Sequence, residues 1–290
     1  MKRKFGDRRD GRRIRNIDGL HNIMMHLMPK RTESEVYMEF PLDVTDLLEF
    51  IQQRNLEHPE YKTTVFHCIV TALMRVISMR PYLNRFICGR KLYERDDITI
   101  SFVAKRKFQD HAEESLMVLS AKEDTCLESV TKKIVGDVHE LRESTGSNDF
   151  DHVINAIGHF PSPVLHLFIA CLQFLSAVGH LPEFLTDGDT NHTTVLLSNL
   201  GSIQCGSCYH HLNNYGTNSI MITVGVIHKE PKVLEDGSIQ VRDVLTLGFT
   251  ADERIADGFY FARSLKLAAY LIAHPELLDI PLKEEIPYEF

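Results

Sequence analysis

The sequence predicts an α/β fold, and three observations predict it. Runs that alternate apolar and polar residues, at 98–104 and 241–250, have the period of half-buried strands. Elsewhere apolar residues recur at helical spacing, most clearly Val65, Phe66, Ile69, Val70, Leu73, Met74 and Ile77. At 290 residues, 43% hydrophobic and 25% charged, the chain has material for one large core or two modest ones, and its composition excludes wholesale disorder. No domain boundary and no internal repeat is visible in it.

The net charge of −8 gives no general support for nucleic-acid binding. Positive charge is concentrated at the start, where Lys2, Arg3, Lys4, Arg8, Arg9, Arg12, Arg13 and Arg15 crowd together. Residues 1–13 are therefore expected to form a basic, solvated arm, with phosphate binding as the alternative. No apolar core follows the basic start, so nothing there reads as a secretory signal. The six cysteines have no small-scaffold spacing, which points to reduced thiols and a cytoplasmic setting.

In chain order, residues 20–28 read as a short apolar helix closed by Pro29. Residues 36–40 read as a strand, after which Asp43 or Thr45 can cap a helix at 46–51. The amphipathic helix at 63–78 stops before Pro81, and residues 86–93 pivot on Gly89 like a hairpin. A strand at 98–104 and a helix at 126–142 follow, the latter ending in a loop at 144–148. Strands are expected at 193–201 and 219–227, then a hairpin at 232–247 turning on Asp236 and Gly237. The last helix begins after the polar cluster Asp252, Glu253, Arg254 and Asp257.

Residues 163–181 stand apart, being apolar nearly all round and close to membrane-spanning length. His166, Gln173 and His180 recur every seven residues and form a polar stripe, which needs partners that a lone bilayer helix lacks. The segment is expected to be a buried or subunit-covering helix, ahead of a surface-associating hairpin and a true span. Its histidines are read as ordinary hydrogen-bonding residues rather than metal ligands.

Three stretches carry a family resemblance. Residues 252–265 resemble the His-x-x-x-Asp-Gly signature of the acyltransferase catalytic domain of 2-oxo-acid dehydrogenase complexes and of chloramphenicol acetyltransferase. Residues 193–201 resemble that family's Phe-Thr-Ile-Ser-Asn-Leu-Gly strand, and residues 80–84 its Pro-x-Leu-Asn turn. The resemblance extends from about residue 14 to 275 and treats a stretch near 154–186 as a helical insertion into a single domain over 14–290. It implies a two-layer sandwich with a mixed sheet and helices packed on one face, assembling as a homotrimer or a multiple of one.

The family signature has histidine where this chain has Glu253. The resemblance implies acyl transfer between CoA and a thiol or other small or carrier-borne acceptor, with two subunits sharing each site. Carried over by position, Ser198 donates to the oxyanion, Glu253 stands in the base's place, and Asp257 holds the loop through an ion pair. Gly258 is the tight-turn residue; Asn199, Gly201 and Gly258 are the candidate CoA contacts. An unperturbed glutamate titrates about two units below histidine, so it needs an apolar setting, for which Phe249, Ile255, Phe259 and Phe261 are candidates. Arg254 opposes this if it folds onto Glu253. A salt-bridge network at a silent site, and His210 or His211 as substitute base, are the alternatives.

Cys205 and Cys208 form a single Cys-x-x-Cys, read as two buried thiols on a loop, and no metal is expected. A lipoyl group is not expected on this chain, so a lipoyl or acyl-carrier protein would act in trans. Nucleic acid is not an expected partner, and membrane contact is not favoured. A catalytically silent trimeric core is the alternative to the enzyme.

Overall fold

The computed structural model describes residues 3–105, 114–143, 158–182, 189–234 and 236–289. Ten strands follow in chain order: β1 (Gly11–Arg13), β2 (Glu35–Asp43), β3 (Arg85–Cys88), β4 (Lys91–Arg95), β5 (Thr99–Lys105), β6 (Glu114–Ser120), β7 (Val195–Asn199), β8 (Ile220–Val224), β9 (His228–Val233) and β10 (Ile239–Asp252). The main sheet has the order β2-β10-β8-β7-β5-β6, with β9 beside the first half of β10. It is mixed: β5, β7 and β8 run parallel, and the remaining pairings are antiparallel. β1, β4 and β3 make a separate small sheet.

β10 organises the molecule because its alternation is two-sided. Leu245, Leu247, Phe249 and Ala251 enter the core, where they meet Ile220 and Ile222 of β8, Val195 and Leu197 of β7, and Ile100 and Phe102 of β5. That face is covered by four helices: α2 (Thr45–Glu57), α3 (Val65–Met79), α4 (Leu127–Glu143) and α6 (Gly258–Ala273), the last numbered after α1 (Gly19–Leu27) and α5 (Ser162–Ala177). Leu47, Ile69, Val76, Leu127, Phe261 and Leu271 are their buried contributions. Each such side chain contributes roughly 1.5–3 kcal/mol by leaving water. This is the two-layer mixed-sheet sandwich that the sequence predicts.

The helix starts follow from short polar side chains. Thr64 and Asp257 accept from the backbone N–H groups of His67 and Tyr260, capping α3 and α6. Before α2, Asp43 accepts from the N–H of Thr45 at 3.2 Å. The β3–β4 hairpin turns on Gly89 and Arg90, both at positive φ (55° and 60°), as a two-residue primed turn requires.

The opposite face of the sheet is crossed by the irregular segment 200–218. Its backbone lies so close that a Cβ on Gly248 would stand 2.2 Å from the carbonyl oxygen of Cys208, and one on Gly225 2.7 Å from the nitrogen of Ser207. Gly248 lies within β10 and Gly225 directly follows β8, and their missing side chains make room for a second layer of backbone.

Four expectations are corrected. The basic arm is not a solvated tail: β1 pairs with β4, Arg8 is buried, and Arg8 and Arg15 pair with Asp10 and Asp7. Asp7 and Asp10 within the arm, and Asp96 beyond it, pair with part of its positive charge. Second, α5 is not buried within this chain. Only Leu172 and Ser176 are inside, while Leu167 and Phe174 are 73% and 66% exposed. Third, Cys205 and Cys208 are exposed rather than buried, because the backbone of their segment, not its side chains, packs on the sheet. Fourth, β1 and β6 were not anticipated; β1 is too short and too charged to show a period. The expected loop at 144–148 lies outside the described residues, as does part of the stretch near 154–186. Among the described residues no helix is long and apolar enough to cross a membrane.

Candidate active site

The polar cluster at the end of β10 resolves into residues with separate tasks. Asp252 is fully buried and forms a two-pronged ion pair with Arg254, at 2.8 Å to Nε and 2.6 Å to Nη2. Ser34 Oγ and the backbone N–H of Arg254 also donate to Asp252. The other end of the guanidinium donates to the carbonyl of Met28. A buried pair so fully hydrogen-bonded fixes the turn and ties it to the segment before β2.

Glu253 is half-buried, and its N–H donates to the carbonyl of Ser34 at 2.9 Å. Among the described residues its carboxylate has no hydrogen-bond or ion-pair partner. Arg254 therefore does not fold onto Glu253, and the expected network joining Asp252, Glu253, Arg254 and Asp257 does not form in this chain. The expected apolar setting is also absent within the chain: Phe249, Ile255 and Phe261 face the helix-side core, and Phe259 is 70% exposed.

Asp257, expected to hold the loop through an ion pair, instead caps α6 by accepting from Tyr260 at 2.7 Å. Asp252 makes the ion pair. Gly258 is the first residue of α6; its φ lies outside the left-handed region and a side chain would meet open space, so the turn does not need glycine there. The cap at Asp257 already supplies the change of direction.

Ser198 lies on β7 in parallel register with Thr223, which is in turn paired with Gly248 of β10. It alternates with the core residues Val195 and Leu197, so it faces the layer containing Thr223 and the 200–218 segment. Ser198 is half-buried, and its hydroxyl has no hydrogen-bond partner among the described residues. Next to it, Asn199 caps the short 3-10 turn Leu200–Ile203 by accepting from Ser202. Gly201 packs on Gly225, where a Cβ would stand 2.7 Å from the carbonyl oxygen. Both residues have structural tasks of their own.

The register separates the two candidate reacting groups. Glu253 lies two strands across and five residues along from Ser198, hence about 19 Å away between Cα atoms by ordinary strand geometry. One chain does not bring Ser198 and Glu253 together.

His210 and His211 stack on one another at 4.8 Å, and each Nδ1 approaches the backbone carbonyl of the next residue. Both are exposed. The same stretch packs Tyr209 on Tyr37 and passes the N–H of Leu212 to Glu35, the register partner of Asp252. The segment thus carries His211 to the end of the sheet that bears Glu253. Among the described residues no three His, Cys, Asp or Glu side chains are placed to hold a metal ion.

Two features escaped sequence reasoning. His192 is buried with Nδ1 2.9 Å from Asp189, and its Nε2 has no partner. The Asp-x-x-His spacing across a short 3-10 turn was the available signal. Arg31 and Arg95 are also buried, bonded mainly to backbone carbonyls; nothing in the sequence marks either as internal.

A mixed sheet with one helix-covered face and a capped turn after its longest strand defines a protein of the chloramphenicol acetyltransferase fold class. A solved chloramphenicol acetyltransferase matches with TM-score 0.51 and 13% identity, covering 90% of this chain and 99% of that one. Residues 183–280 match the family described as 2-oxoacid dehydrogenases acyltransferase (catalytic domain). Over that stretch the chain is similar to that catalytic domain. It is 22% identical over 245 residues to the lipoamide acyltransferase component of the branched-chain alpha-keto acid dehydrogenase complex of Bacillus subtilis (strain 168), covering 81% of this chain but only 46% of that relative's length. A dihydrolipoamide acetyltransferase of Azotobacter vinelandii, investigated for the catalytic roles of a serine, a histidine and an asparagine, matches with TM-score 0.60 and 16% identity over 93% of this chain and 95% of that one. The cubic core of a pyruvate dehydrogenase multienzyme complex matches with TM-score 0.58 and 15% identity over 93% and 95%.

Proposed function

We propose that this protein transfers an acyl group between CoA and a thiol or other small or carrier-borne acceptor, at a site shared by two copies of the chain. The observation that carries the reading is the separation of Ser198 and Glu253 on one chain, with both side chains unpartnered among the described residues. Two groups left open at opposite places on a surface can complete one another across an interface. The self-assembled core among the structural neighbours supports a homotrimer or a multiple of one, and α5 offers exposed apolar surface.

In this mechanism the Glu253 carboxylate takes the proton of the acceptor thiol. The thiolate attacks the thioester carbonyl, and Ser198 of the neighbouring copy donates a hydrogen bond to the oxyanion. Collapse expels the CoA thiolate, which recovers the proton from Glu253. Asp252 and Arg254 aim the turn.

Free-thiol release from an acyl-CoA donor tests the reading. Glu253→Gln and Ser198→Ala should each lose activity, and a mixture refolded together should regain part of it, because some sites then combine an intact Glu253 with an intact Ser198. Inactive singles whose mixture stays inactive would exclude a shared site; unchanged singles would remove both residues from the chemistry. A second reading, a catalytically silent assembly core, is favoured by the absence of any histidine in the base's place and by the exposure of His210 and His211. It predicts no stabilisation by millimolar CoA, whereas the transferase predicts a rise in Tm.

A further inference from the structure

A cavity of about 390 Å³ lies between residues 29–31, the β3–β4 turn, the end of α5 and residues 214–216. Four cations line it, Lys30, Arg31, Arg90 and Arg254, together with Gln173 and Tyr215; no carboxylate does among the described residues. Of the four, only Arg254 is ion-paired among the described residues, to the buried Asp252, whose charge also acts on Arg31.

Arg31 is the informative member. It is 5% exposed, yet its guanidinium meets no carboxylate: one end donates to the carbonyl of Ile87 at 2.7 Å, and two contacts to the carbonyls of Asn213 and Asn214 are long, at 3.4 Å. Its Nε is buried with no partner. A cation held this way costs desolvation that carbonyls offset only in part, and burial pushes its pKa down. Arg90 and Lys30 stand exposed at the rim and make no ion pair among the described residues, and Arg90 is held there at φ 60° by the hairpin turn. The arrangement is a buried guanidinium with a donor to spare, backed by three further positive charges and closed on one side by α5.

We propose that this cavity is a binding site for the phosphate group of a small organic phosphate. A phosphate ester supplies close to two negative charges and three strong acceptor oxygens, matching several cations where a single carboxylate would leave some unpaired. The volume lies near the lower end of small-ligand pockets, so a compact molecule fits, with its body against Tyr215. One wall comes from α5, which the family resemblance marks as an insertion, and the cavity meets the proposed acyl-transfer turn only at Arg254. It does not depend on the function proposed above, because neither Ser198 nor Glu253 lines it.

Calorimetric titration of the full chain with inorganic phosphate and pyrophosphate, at constant ionic strength against chloride, tests the proposal. Saturable binding is expected, weakened about tenfold or more in the double variant Lys30→Gln, Arg90→Asn, which removes two charge-assisted hydrogen bonds. Both positions are exposed, and asparagine tolerates the φ of residue 90. Arg31→Gln should abolish binding; if that variant fails to fold, the double variant decides alone. Heats equal to those of chloride, or unchanged affinity in the double variant, would overturn the site. Tighter binding of succinate than of phosphate would overturn the ligand class.

Discussion

Arg254 closes on Asp252 with two parallel hydrogen bonds, of 2.8 and 2.6 Å, and by doing so leaves the carboxylate of the intervening Glu253 without a partner among the described residues. The turn is therefore rigid at its buried residues and open at the residue between them. This divides the expected effects of substitution. Asp252→Asn strands a buried guanidinium and should cost about 3–5 kcal/mol. Glu253→Gln should change stability by no more than about 0.5 kcal/mol. Urea denaturation of both variants reads the difference; equal costs would show that Glu253 belongs to the structural network.

Burial in α3 pushes the pKa of His67 down from 6.5 to about 4. The unfolded chain then binds a proton that the folded chain refuses between pH 6.5 and 4. Stability from this group is complete above pH 6.5 and is lost as pH falls toward 4, by roughly 3 kcal/mol. His67→Gln, which preserves the polar position in the Thr64 capping box, should flatten that part of the stability profile. A slope retained in the variant would assign it to other groups.

Thiol reactivity should follow exposure and burial. Cys171, Cys205 and Cys208 are exposed, whereas Cys68 and Cys88 are buried, and burial pushes the Cys68 thiol up to about 12. A disulfide reagent under native conditions should label the three exposed cysteines quickly and Cys68 only on unfolding. Mass mapping of modified peptides checks this, and early labelling at Cys68 would contradict the packing of α3.

Gly248→Ala places a methyl group 2.2 Å from the Cys208 carbonyl oxygen and 2.5 Å from Thr223 Oγ1. The 200–218 segment must lift, at a cost of roughly 1–3 kcal/mol. Hydrogen exchange should rise at Cys208, whose N–H donates to Thr223, while α3 stays protected. Unchanged exchange at Cys208 would show that the segment is not held by this contact.

Much of the architecture was legible because it rests on local periods. The strand alternation around Leu245, Leu247 and Phe249, the spacing of Ile69, Val70, Leu73, Met74 and Ile77, and the glycine turns at Gly89 and Gly237 are consequences of residue type and separation. The motif positions Ser198, Glu253 and Asp257 were legible for a different reason, the resemblance of residues 193–201 and 252–265 to family motifs.

Which groups meet was not legible. Asp257 became a cap while Asp252 took the ion pair; Cys205 and Cys208 turned outward; an apolar helix remained largely uncovered; and Arg31 was drawn inside beside Arg254. Sequence fixes the order of residues along a strand, and therefore the face each one occupies. Whether a carboxylate finds a guanidinium depends on strands and segments remote in the chain, since electrostatic pairing and desolvation act through space. The sequence by itself determined an α/β chain and most of its elements, and its family resemblance implied the mixed sheet and the positions of the candidate reacting residues. Only the tertiary structure decided that Ser198 and Glu253 stand apart, because the strand register sets their distance and no local pattern encodes it.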